Sequence, residues 1–178
     1  MKTILGVLLL AAFSAPCFAA IYNVGDKPPN VCWQDDADAR VCSDDFARVR
    51  VFLFNTGWCP PCNTEFSHLV NSLAEFEGKA VTFISLSAEG WSRGSSPTKA
   101  FLEQWKTRHS LAACKAHLIV AASPRNAGHD YFVSPSIPNV VILNVNGEVA
   151  YKAIAPSLST VAAEVRKLLP KVVPVPTN

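Results

Sequence analysis

Two cysteines two residues apart, Cys59 and Cys62, stand where an apolar run ends and a helical pattern begins, and that junction leaves the chain few folds to choose from. Before it, Arg48 to Asn55 carries Val-Arg-Val-Phe-Leu-Phe, continuous enough for a strand buried on both faces. After it, Phe66, Leu69, Val70, Leu73 and Phe76 recur at helical spacing, and Gly78 follows as a stop signal. A buried strand running straight into a helix, with both thiols in the helix's first turn, is a unit of α/β architecture.

The same placement sets the chemistry. A Cys-x-x-Cys pair at a helix start can alternate between a disulfide and two thiols with little backbone motion. The unpaired amides and the positive dipole end of the helix lower the pKa of the first thiol, which makes Cys59 the attacking thiolate. Cys62, one turn inside, is the shielded thiol that resolves a mixed disulfide by attacking the Cys59 sulfur. Glu65 lies three residues further on, on the same helical face, where its carboxylate can take up or return the Cys62 proton; an exposed acid favouring the helix dipole is the plainer reading. Trp58 is placed to shield one side of the pair. A zinc site would need two more ligands at matching spacing, and the remaining cysteines and four histidines do not supply them, so no metal is expected. The redox pair itself stands in place of a cofactor.

The rest of the chain extends the alternation. Val31–Gln34 and Arg40–Ser43 flank a polar turn, and folding that hairpin about Ala37 sets Cys32 opposite Cys42, close enough for a structural disulfide. The alternatives are that both stay reduced or that one of them pairs with Cys114; Cys114 is otherwise a buried free thiol, with a redox-linked dimer as the sharper reading. Ala80–Leu86 reads as a second buried strand, and Ser96 before Pro97 opens a helix through Trp105. His117–Ala121 adds a short strand, and Asn126–Phe132 is a weak helical segment. Val140–Val145 and Glu148–Ile154 form a hairpin about Asn146-Gly147, and a last helix runs over 157–169.

At the N-terminus, Lys2 followed by the apolar run Ile4–Phe13 and small residues reads as a secretory signal peptide over 1–19, cleaved before Ala20. An acylated Cys17 is the less favoured alternative. Export implies a periplasmic or other extracytoplasmic protein, soluble once the leader is removed, in a compartment where disulfides persist. Residues 20–169 form one domain, and 170–178 are a Pro-rich tail. An apolar content of 49% excludes a disordered chain. The net charge of +2 comes with no long basic run, which sets nucleic acid aside.

The hairpin, Ser43-Asp44-Asp45-Phe46, the apolar strand and Trp58-Cys59-Pro60-Pro61-Cys62 together resemble the TlpA/ResA type of exported thioredoxin-like proteins. Ile137-Pro138 and Asn146-Gly147-Glu148 are similar to that family's cis-proline loop and closing hairpin. The resemblance implies an α/β thioredoxin-like fold: a mixed central sheet with flanking helices and an N-terminal β-hairpin extension. It implies a thiol-disulfide oxidoreductase, often a reductant in cytochrome c maturation or related assembly. Its partners would be a disulfide-containing protein substrate and a membrane electron donor, with the chain a monomer. Residue by residue it matches Cys59 to the nucleophile, Cys62 to the resolving thiol, Glu65 to the acid after the motif and Pro138 to the cis-proline. Ile137 would then offer its backbone to an extended substrate. Leu53, Ser67 and Asn55-Thr56-Gly57 depart from the family pattern. Alternatives are a disulfide oxidase or isomerase, a binding or metal-transfer module on the same fold, and a peroxiredoxin-like peroxidase, whose reactive cysteine is held by Thr and Arg and which a Pro-Pro pair between two cysteines fits poorly.

Overall fold

Strand β3 (Val49–Thr56) is buried over its whole length and forms the axis of a seven-stranded mixed sheet. The computed structural model describes residues 21–123, 127–132 and 136–170; the leader read over 1–19 lies outside them, as does the tail from 171 onward. With β1 (Cys32–Asp35), β2 (Arg40–Cys42), β4 (Val81–Glu89), β5 (Leu118–Ala122), β6 (Asn139–Leu143) and β7 (Val149–Ile154), the strand order is β2-β1-β5-β4-β3-β6-β7. The strands β3, β4 and β5 are parallel, while β6 and β7 run antiparallel beyond β3. Three helices, α1 (Pro60–Leu73), α2 (Lys99–Arg108) and α3 (Leu158–Leu168), complete the thioredoxin-like fold. Among the described residues no helix is long and apolar enough to cross a membrane.

Because β3 is buried on both faces, its alternate residues feed two cores. Val49, Val51 and Leu53 join Phe66, Leu69 and Leu73 of α1, Phe101 and Trp105 of α2 and Val161 and Val165 of α3. Phe52 and Phe54 point the other way, into a smaller cluster with Trp33, Ile84, Leu86 and Tyr131. Arg50 shares that buried strand, which apolar periodicity does not foresee. Its two terminal guanidinium nitrogens are used internally, donating to the carbonyls of Ser43 at 2.8 Å and Asn144 at 3.0 Å, while its Nε is buried without a partner among the described residues.

The N-terminal hairpin forms in the register read from the sequence, with Cys32 opposite Cys42, their Cα atoms 4.0 Å apart and their sulfurs bonded. It is no appendage: β1 pairs antiparallel with β5, and Asp36 and Asp38 in its turn meet Lys106 and Lys99 of α2 at 2.6 and 2.9 Å. The Asn146-Gly147 hairpin also forms, Gly147 supplying the positive φ its turn requires. Other elements shift. Helix α2 opens at Lys99, later than Pro97, because Thr98 rather than Ser96 is the cap, its hydroxyl accepting the Phe101 amide at 3.2 Å. The weak helix read over 126–132 is a 3-10 turn at Ala127–Asp130. Among the described residues Cys114 has no disulfide partner; it is half-buried, and burial raises its thiol pKa.

Candidate functional site

The site begins where β3 ends. Gly57 carries no side chain because none fits: a Cβ there would lie 2.7 Å from the Gly90 carbonyl and 2.8 Å from the Trp91 ring. The loop after β4 therefore packs directly against the approach to Trp58. Cys59 is the N-cap of α1, with extended backbone, and Pro60 and Pro61 fill the first helical positions. Proline suits those positions, since their N–H groups would have no partner within the helix. The amide of Cys62 donates to the Cys59 sulfur at 3.2 Å. Asn63 ties the turn down, its side-chain amide donating to the carbonyls of Gly57 at 3.0 Å and Cys59 at 2.9 Å. Cys59 and Cys62 are joined as a disulfide.

Both sulfur residues are almost wholly covered, Cys59 at 2% exposure and Cys62 at 0%. Exposed area does not separate them as the sequence argument expected. The cavity does: Cys59 lines an open cleft of about 620 Å³ and Cys62 does not. Beneath the pair, at the end of β3, Asn55 is fully buried and fully used, donating to Ser85 Oγ at 3.0 Å and accepting from Ser87 Oγ at 2.7 Å. This neutral cluster follows Leu53, which itself packs into the core below α1.

The Ile137–Pro138 peptide is cis. Ile137 and Ser136 line the cleft together with Cys59, while Pro138 is buried and its carbonyl accepts from the Ala155 amide at 2.8 Å. Trp58 forms another wall. Its Nε1 donates to the carboxylate of Glu89, and the guanidinium of Arg93 lies 3.8 Å over its ring. The lining includes Phe54, Thr56 and Asn139, and buried oxygens of the latter two, Thr56 Oγ1 and Asn139 Oδ1, have no hydrogen-bond partner among the described residues. Glu65 stands one turn after Cys62 on α1, half-buried, its carboxyl pKa raised by burial; it does not line the cleft. Among the described residues no group of three or more His, Cys, Asp or Glu is placed to hold a metal ion.

The structure thus brings Trp58, Cys59 and Ile137 around one cleft, while Cys62, Pro138 and Glu65 do not line it. Sequence reasoning missed Thr56, Glu89, Arg93 and Asn139. The available signal was topological: clefts in α/β sheets open beyond the carboxyl ends of parallel strands, and Glu89 ends β4 next to β3.

Similar architectures occur among solved structures. One is a candidate protein disulfide isomerase from Bacteroides thetaiotaomicron, 11% identical, with a TM-score of 0.67 over 84% of this chain and 91% of that one. A thioredoxin-family thiol:disulfide interchange protein from Chlorobium tepidum TLS is 13% identical, with a TM-score of 0.62 over 84% and 99%. A secreted disulfide oxidoreductase of Mycobacterium tuberculosis, homologous to E. coli DsbE, is 20% identical, with a TM-score of 0.57 over 78% and 96%. At these identities the likeness is one of fold. Comparison with curated proteins gives no match. In sequence, residues 24–152 match the AhpC/TSA family, and with that span taking in β1 to β6, the Cys-Pro-Pro-Cys turn and the cis-proline loop, the chain belongs to that family.

Proposed function

We propose that this protein is an exported thiol-disulfide oxidoreductase that reduces disulfides of extracytoplasmic protein substrates, in an assembly process of the cytochrome c maturation type. The observation that carries the reading is the Cys59–Cys62 disulfide at the start of α1, with Cys59 facing a cleft whose opposite rim is the cis Ile137–Pro138 loop. In the reduced protein the Cys59 thiolate attacks a substrate disulfide, forming a mixed disulfide and releasing the other substrate sulfur as a thiolate. Cys62 then attacks the Cys59 sulfur, releases the second substrate thiolate and restores the protein disulfide. Glu65, one turn from Cys62 and with a raised pKa, is the group proposed to accept the Cys62 proton. Two electrons leave the protein in each cycle, so a membrane electron donor must return them.

The direction follows from what surrounds the nucleophile. Pro60 and Pro61 have no N–H, so the Cys62 amide is the backbone donor left to hold a Cys59 thiolate, and a thiolate held modestly makes a reducing couple. Equilibration with glutathione buffers is expected to give a potential nearer about −270 mV than the about −120 mV of strong oxidants. A value at the oxidising end, with efficient oxidation of a reduced unfolded protein, rejects the reductant in favour of an oxidase. The substrate is identified by trapping: Cys62→Ser should hold it covalently on Cys59, and Cys59→Ser should hold nothing.

A second reading, hydroperoxide reduction at Cys59, is favoured by the AhpC/TSA match and by Thr56 and Arg93 lining the cleft beside Cys59. Against it, Arg93 is stacked on Trp58, and Cys59 already has a resolving partner within its own turn. Peroxide consumption that persists at the wild-type rate in Cys62→Ser, with an external thiol supplied, would favour the peroxidase over the disulfide reductase.

A further inference from the structure

We infer that Arg93 is a specificity-determining residue that selects protein disulfides flanked by an acidic side chain; the inference rests on the thiol-disulfide reading above and names the substrate class for that site. Among the described residues that line the cleft with Cys59, Arg93 and Glu89 alone are charged, and the two are not equivalent. Glu89 is half-buried and turned toward Trp58, whose indole N–H its carboxylate accepts. Arg93 is exposed, and among the described residues its guanidinium has no hydrogen-bond acceptor and no ion-pair partner. All its donors remain available. A guanidinium can stack by its face and still present its N–H edge to a carboxylate, two oxygens at once.

The guanidinium is also held in place. Trp58 is fixed by its covalent neighbour Cys59 and by Glu89, and the central carbon of the Arg93 guanidinium lies over the ring, 3.8 Å from its centroid. The loop that carries Arg93 is braced from both sides: the Gly90 amide donates to the Ser95 carbonyl at 2.9 Å, the Ser95 amide to the Ser92 carbonyl at 3.1 Å, and the Gly57 amide to the Glu89 carbonyl at 3.3 Å. Trp91 anchors the same loop, its ring 4.9 Å from that of Phe101 and its Nε1 donating to Gln104 at 2.8 Å. Little conformational freedom is left to lose when a carboxylate arrives, which is what turns an exposed cation into a selective one. An extended segment lying along Ile137 with its cysteine at Cys59 would pass this cation; a basic flank would meet it with like charge. The nearby Glu89 carboxylate opposes the effect, so the preference is moderate.

The test uses disulfide-closed synthetic peptides identical except for Glu, Gln or Lys at the positions flanking their cysteines, reduced by the pre-reduced protein in single turnover. Each reaction converts one peptide disulfide to two thiols and the Cys59/Cys62 dithiol to a disulfide. The wild-type protein is expected to reduce the Glu peptide about three- to tenfold faster than the Lys peptide at low salt, the ratio narrowing as salt is added. Arg93→Gln should bring the ratio to one or somewhat below, Glu89 then standing unopposed in the cleft, and Arg93→Glu should invert it further, whereas Lys115→Gln, at the opposite end of the parallel strands, should leave it unchanged. Because the readout is a ratio within each variant, a loss of overall activity does not obscure it. Reduction of all peptides at one rate by the wild type, or an unchanged ratio in Arg93→Gln, overturns the inference while leaving the oxidoreductase standing. Failure of the wild type to reduce any of them overturns both.

Discussion

His109 is buried at the end of α2 at 5% exposure, its ring 4.2 Å from Trp105 and 5.9 Å from Phe66, and neither ring nitrogen has a hydrogen-bond partner among the described residues. Burial, with the Arg108 charge adding to it, lowers its pKa to about 4. The folded state therefore resists the proton that the unfolded chain accepts at the ordinary histidine value. The histidine's effect on stability is complete above about pH 6.5; stability falls as the pH drops from there toward 4, by up to about 3 kcal/mol, and then levels. Replacing His109 by Phe, which keeps the ring packing and titrates nothing, should flatten this limb in urea unfolding measured between pH 7 and 4. Thr56 poses a related question. Its hydroxyl is buried without a partner, so Thr56→Val should keep or raise stability, by about 1 kcal/mol, if the group has no role in the cleft. A fall in turnover with unchanged melting would instead show that the hydroxyl meets a substrate.

At the scale of elements, the β4–α2 loop and the N-terminal hairpin decide how the site is framed. A methyl group at residue 57 must displace the Gly90 carbonyl, which is backbone and yields poorly. Gly57→Ala is therefore expected to cost about 1 to 3 kcal/mol and to shift Trp91 fluorescence as the loop moves. The hairpin is tied by its disulfide, by β5 and by the two aspartate–lysine pairs on α2. In the chain-entropy model so short a bridge contributes about 3 kcal/mol, so Cys32→Ser with Cys42→Ser should lower the unfolding free energy by that order, seen as a lower denaturation midpoint, while the Cys59–Cys62 turn stays formed. The register of this hairpin was legible in the sequence because a polar turn between two short apolar runs fixes it locally. Its docking on β5 was not legible, since β5 lies far along the chain and the pairing leaves no periodic trace in either segment. Likewise Cys59, Cys62 and the cis-proline loop could be placed in advance through their spacing and a resemblance, whereas Glu89 and Arg93 sit on a stretch without periodicity. They enter the site only because Gly57 lets that loop close against β3.

At the scale of the whole molecule, the described residues carry two disulfides with different prospects, one at the start of α1 and one across the β1–β2 hairpin. The Cys59–Cys62 bond borders an open cleft, and the Cys32–Cys42 bond crosses a half-buried hairpin at the sheet's edge, where β2 contributes three residues as the outermost strand. Cys114 adds a thiol whose pKa is raised by burial, so it reacts slowly with alkylating reagents near neutral pH. These differences turn the cysteines into a built-in counter of the protein's state. Among Cys32, Cys42, Cys59, Cys62 and Cys114, the unfolded and alkylated chain should carry one labelled thiol when fully oxidised, three when the cleft pair alone is open, and five when the hairpin is open too. Titration with a mild dithiol should show a plateau at three, with the labels on Cys59, Cys62 and Cys114 by mass spectrometry; a direct rise from one to five would mean the two bonds open together. Any assay that starts by treating the protein with excess reductant passes that plateau unseen, and then measures a protein whose edge strand has lost its clasp.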